Sequence, residues 1–194
     1  VQLTSSSGNV TINVNSACRS FDCNGYTGTL AHTAAVTLSI GDATAGLSSI
    51  ALRLASGMTY TLGNASTSAL SFVSTSTTQQ TITTTGKTLG SVTINGAGSS
   101  YVLADAFTAS STGVFTHTVG TFNSGNFAMS MNSFVINSGT KTLTLGSSAI
   151  TLTATTVCFN ATSTTGLTMT ANTAVVTLPS VIASANTIIL GTFN

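Results

Sequence analysis

Short runs in which Thr or Ser alternates with an apolar residue recur from one end of this chain to the other, and no other feature restricts its fold as much. Val10-Thr11-Ile12, Val36-Thr37-Leu38-Ser39-Ile40, Val92-Thr93-Ile94, Leu143-Thr144-Leu145, Ile150-Thr151-Leu152 and Leu167-Thr168-Met169 are clear cases. Period-two alternation puts the apolar side chains on one face of a strand and the hydroxyls on the other. Thr suits such a strand because its branched Cβ stiffens χ1. Helical spacing is hard to find. Between the runs stand Asn95-Gly96-Ala97-Gly98, Asn123-Ser124-Gly125-Asn126 and Asn137-Ser138-Gly139, residues that tolerate the positive φ angles of sharp turns. The chain therefore reads as all-β, built of many short strands in a solenoid, a sandwich or a barrel.

Internal echoes favour the solenoid. Phe21-Asp22-Cys23-Asn24-Gly25-Tyr26 returns as Phe122-Asn123-Ser124-Gly125-Asn126-Phe127. Gly57-Met58-Thr59-Tyr60-Thr61 is echoed by Gly166-Leu167-Thr168-Met169-Thr170, and Lys87-Thr88-Leu89-Gly90 by Lys141-Thr142-Leu143-Thr144-Leu145-Gly146. Loose repetition of a strand and turn is what a β-solenoid of the parallel β-helix kind needs, since each coil requires only apolar residues inside and a turn at its corners. Coils of about 20 residues spaced about 4.8 Å apart would give a rod about 45 Å long. A β-sandwich of similar low-complexity strands is the alternative. Residues 1–194 read as one repeat domain; with neither an initiator Met nor a basic, then apolar leader, it is expected to be a fragment or processed form of a longer chain.

Charge is scarce. Four Lys or Arg and three Asp serve 194 residues, so Ser and Thr hydroxyls must hydrate the surface. Arg19, Arg53, Lys87 and Lys141 form no basic stripe, which argues against nucleic acid as a partner. Apolar runs such as Ile188-Ile189-Leu190 fall far short of the roughly 20 residues of a membrane helix, so no membrane span is expected. With so few titrating groups, stability is expected to change little with salt or between about pH 4 and pH 9.

The same scarcity limits catalysis. Asp22, Asp42 and Asp105 are the only acids, and turn chemistry accounts for each; a glycosidase needs two carboxyls close together. His32 and His117 sit in Thr-rich strands without a nucleophile elbow or a second metal ligand at useful spacing. No catalytic residue, metal or cofactor is expected. Cys18, Cys23 and Cys158 lack zinc spacing; Cys18 and Cys23 either close a local disulfide in an oxidising compartment or are buried thiols. Asn9, Asn64 and Asn160 open glycosylation sequons, usable only in a secretory setting. Tyr26, Tyr60 and Tyr101 are candidate platforms for a surface glycan, with core packing as the competing role.

The stretches Lys87 to Gly98 with Tyr101-Val102-Leu103, Gly120 to Phe127 and Thr142 to Ser148 resemble Thr/Ser-rich repeat proteins of bacteriophage genomes and related environmental sequences, and Asn24 to Leu30 looks like their N-terminal unit. Cys158-Phe159-Asn160 departs from the pattern, standing where a Trp-containing strand is expected. The resemblance implies a β-helical tail-fibre, spike or other virion-surface component, with a structural or host-attachment role and no transferable catalytic motif. A homo-oligomer or docking on a larger particle follows from the open ends of such a rod. Two rivals remain: a subunit of an extracellular filament or surface layer joined by strand addition, and a carbohydrate-binding attachment module.

Overall fold

The computed structural model describes residues 1–42, 49–161, 163–178 and 187–190. Among them there is no helix; the strands pair in parallel and stack into a β-solenoid of about 7 turns. Each full coil crosses three faces in a constant order. The first face stacks Ser16–Cys18, Thr37–Ile40, Ala69–Phe72, the start of Ser91–Leu103, the start of Val114–Asn123, Ser133–Ile136, Val157–Ala161 and Thr187–Leu190. The second stacks Phe21–Asp22, Ile50–Arg53, Gln79–Thr83, the ends of the two long strands, Lys141–Thr144 and Leu167–Thr170. Because Ser91–Leu103 and Val114–Asn123 run through the corner, these two faces form one continuous sheet. The third face is split into a sheet of Val10–Ile12, Thr29–His32 and Thr59–Leu62 and a sheet of Thr88–Leu89, Phe107–Ala109, Met129–Met131, Ala149–Leu152 and Val175–Thr177.

Alternation sets which side chains fill the lumen. Leu38, Leu70, Val92, Phe115, Phe134 and Phe159 are consecutive partners on the first face and all are buried. On the second face Tyr101, Phe122, Leu143 and Met169 continue the inward row. Outside, Thr88, Thr108, Ser130, Thr151 and Thr177 form a hydroxyl ladder down the third face. Leu143, Leu145, Ile150 and Leu152 are buried and Leu167 and Met169 pack against the core, whereas Thr151 and Thr168 are exposed. Ridges of hydroxyls over an apolar lumen explain how so uncharged a chain keeps a wet surface.

Two expectations about the coils change. The coil is not uniformly 20 residues: Val10 pairs with Leu30, but Thr37 pairs with Ala69, 32 residues on. Among the described residues, the segment 63–68 between Thr59–Leu62 and Ala69–Phe72 takes up part of the difference, and lengthening a connection adds little closure entropy. At about 7 turns the rod is about 34 Å long rather than about 45 Å. The aromatic echo is structural, since Phe21-Asp22 and Phe122-Asn123 both end second-face strands. At both corners the Asx carboxyl or amide oxygen accepts the backbone N–H two residues on, Asp22 from Asn24 and Asn123 from Gly125. The other two echoes place their halves on different faces, Thr59–Leu62 against Leu167–Thr170 and Thr88–Leu89 against Lys141–Thr144, and so are products of common small residues.

Candidate functional site

The chemistry-bearing residues lie along the corners, where one coil is tied to the next. His32 takes an inward slot after Leu30 and is fully buried. Its Nε2 lies 2.9 Å from the Val36 carbonyl, which can only accept, so Nε2 carries the proton and Nδ1 accepts from the Tyr60 hydroxyl at 2.9 Å. Burial holds its pKa below the usual histidine range, against the pull of the Val36 carbonyl. His117, also inward and buried, donates from Nε2 to the Gly120 carbonyl at 3.0 Å. Burial pushes it down to about 4, and the Lys141 charge acts in the same direction.

Each carboxylate has a structural partner. Asp22 accepts Arg53 Nε at 2.7 Å and Arg53 Nη2 at 2.6 Å across one coil, and the hydrogen bond from Arg53 is the main reason its pKa is lowered. Asp42 pairs with Arg19 at 3.1 Å on the surface. Asp105 accepts the backbone N–H groups of Thr84 and Thr85 and the Thr84 hydroxyl, fastening the turn of the preceding coil. Asp105→Ala leaves those donors without their acceptor and is expected to cost about 2 kcal/mol of stability, whereas Asp105→Asn, which keeps a side-chain oxygen, costs less. Urea unfolding of the two variants checks this; equal losses would mean that the turn does not depend on the side-chain acceptor.

The tyrosine platforms are corrected by burial. Tyr26 and Tyr101 are both fully buried. The Tyr26 hydroxyl lies 2.9 Å and 2.8 Å from the carbonyls of Gly8 and Thr29, while Tyr101 packs on Phe72 at 5.4 Å and its oxygen accepts the Ser74 N–H at 2.8 Å. Neither can offer a ring face to a sugar, because an aromatic with a satisfied hydroxyl gains most by leaving water. Tyr60 is half-buried and engaged with His32. Cys18, Cys23 and Cys158 are free thiols, and no bridge joins Cys18 to Cys23. Cys18 ends the first-face strand Ser16–Cys18 whereas Cys23 follows the second-face strand Phe21–Asp22, and burial pushes the Cys23 thiol up to about 12, which suppresses the thiolate that disulfide exchange requires.

The sequons differ in setting. Asn9 is exposed, with its Oδ1 accepting the Thr29 N–H. Asn64 is exposed in a corner and accepts from Ser66 and Thr67. Asn160 lies within a strand paired on both sides, to Val135 and Ile189. Among the described residues no three His, Cys, Asp or Glu side chains come together, and no helix is long and apolar enough to cross a membrane.

Two polar features were missed from sequence. Lys141 occupies an inward slot and is 2 % exposed, its Nζ donating to the Gly139 carbonyl. The signal was there: counting back by two from Leu143 puts Lys141 inside. The Ser148 and Ser124 hydroxyls meet at 2.7 Å between successive corners, and Ser124 donates on to the Leu145 carbonyl; nothing in a serine-rich sequence distinguishes this pair. No protein-family model, curated protein or solved structure matches the chain.

Proposed function

We propose that this protein is a non-enzymatic structural rod, an element of a virion surface or extracellular fibre. What carries the reading is that Asp22, Asp105, His32 and Tyr101 serve as ties between coils: Asp22 to Arg53, Asp105 to Thr84 and Thr85, His32 to Tyr60, Tyr101 to Ser74. Outside these ties the faces present ladders of neutral hydroxyls, a surface suited to staying hydrated without salt-dependent contacts. Digestion with trypsin tests the idea. Arg53 is held by Asp22 within a paired strand and Lys141 is buried, so cleavage at these two sites is expected to be many-fold slower in the folded protein than in a urea-denatured control. Prompt cleavage at Arg53 or Lys141, or turnover of a polysaccharide by the purified protein, would sink it.

Axial growth into a filament is the second reading, and one observation favours it. Val176 is 39 % exposed, although its third-face neighbour Ile150 occupies the equivalent inward slot at 0 %. Strand addition of a second copy would cover it. Glycan attachment has less support, because two of its three candidate rings are in the core.

A further inference from the structure

The corner at Gly120 holds two buried titratable side chains whose placement a purely mechanical role leaves unexplained. Because the Gly120 carbonyl fixes the proton of His117 on Nε2, Nδ1 is left as an acceptor, and it is enclosed without a hydrogen-bond partner. In the next coil Lys141 is the ladder partner of Gly120 and also points inward. The corner is tight at backbone level: Gly120 has φ +88° and Gly139 φ +129°, and the Gly120 N–H donates to the Thr140 carbonyl at 3.2 Å. Of the elements packed on His117, the preceding strand brings Tyr101, whose oxygen accepts from Ser74, and the second-face strand of the next coil brings Lys141. Ser133–Ile136 and Phe107–Ala109 bring no titratable group. Along this row of corners the described carboxylate is Asp42, three coils back by the pairing of Ile40, Phe72, Ile94 and His117, and it is paired with Arg19.

We propose that His117 and Lys141 form an acid-operated latch: uptake of a proton at Nδ1 of His117 sets an imidazolium against the Lys141 ammonium, and this corner opens ahead of the rest of the solenoid. The direction follows from linkage. In an opened corner the imidazole binds its proton near its ordinary 6.5, whereas the closed corner withholds it to about 4. The contribution of neutral His117 is complete above pH 6.5 and is lost as the pH falls toward 4, after which the loss levels off. Asp22, held below its ordinary 3.8 by Arg53, loses its contribution only in more acid solution, so the window between belongs to the histidines. The latch, where it operates, is a local exception to the pH-insensitive stability expected from sparse charge, because one buried group suffices.

His117 ring titration by NMR and amide hydrogen exchange between pH 7 and pH 4 test the latch. Corrected for intrinsic exchange, opening at the Gly120 and Lys141 amides is expected to rise about a hundredfold over that range while the Phe115 and Phe134 amides change little. His117→Gln abolishes the rise, which separates the latch from His32. Lys141→Met raises the midpoint of His117, because the repelling charge is gone. A His117 that titrates near 6.5, or corner opening with the same pH dependence in His117→Gln, overturns the proposal. Should His117→Gln fail to fold, the ring titrations of wild type and Lys141→Met decide: an unchanged midpoint refutes the coupling.

Discussion

Truncating Phe115 to alanine is expected to lower the unfolding free energy by about 4 kcal/mol, the largest loss for any single side chain in this core. The ring is fully buried where the three faces meet. It lies 5.4 Å from Phe107 on the third face, 4.8 Å from Phe122 on the second and 5.1 Å from Phe134 in the next coil. A cavity there cannot collapse easily, because the backbone around it is held in register by ladders on both sides, from Val92 to Phe115 and from Phe115 to Phe134. Phe115→Leu keeps most of the volume and is expected to cost about 1.5 kcal/mol. Phe127, exposed at a corner, is the control, with Phe127→Ala staying within about 0.5 kcal/mol of wild type. Urea unfolding followed by circular dichroism reads all three. A loss under about 1 kcal/mol for Phe115→Ala would mean that the aromatic row is not the centre of the core.

Gly120→Ala is expected to cost about 3 kcal/mol or more, from two sources that a second glycine separates. The residue sits at φ +88°, and a Cβ there would stand 2.3 Å from the Gly96 carbonyl oxygen and 2.4 Å from Ser99 Oγ in the preceding coil. The first contact is with backbone, so relief requires the coils themselves to move apart. Gly25 has a similar φ of +76° but open space around the missing Cβ, so Gly25→Ala measures the left-handed backbone cost alone, about 1 kcal/mol. The difference between the two variants in thermal or urea unfolding isolates the close approach of successive coils. Equal losses would show that backbone conformation, and not coil contact, is what the glycine supplies.

How far the sequence reached can be judged residue by residue. The rows Leu143, Leu145, Ile150 and Leu152 are buried where alternation placed them, and the corner shared by Phe21-Asp22 and Phe122-Asn123 was visible as a repeat. Period-two alternation is a local property of the strand, and an Asx turn involves three neighbouring residues, so both are written within a few positions of the chain. The same counting rule puts His117 and Lys141 inside; for Lys141 alone residue type argues the other way, since a lysine reads as surface unless its register is trusted over its charge.

Tertiary structure decided what depends on residues about 20 to 32 positions apart, the distance between ladder partners. It set the coil lengths, and with them the split of the third face after Thr59–Leu62. It also determined that Tyr26 meets the Gly8 carbonyl and Tyr101 the Ser74 amide, which put both rings in the core. For Tyr26 and Tyr101 the partner that satisfies the buried hydroxyl comes from a neighbouring coil, which no local pattern reveals. Alternation says which way a residue points, whereas the stacking of coils says what it meets there.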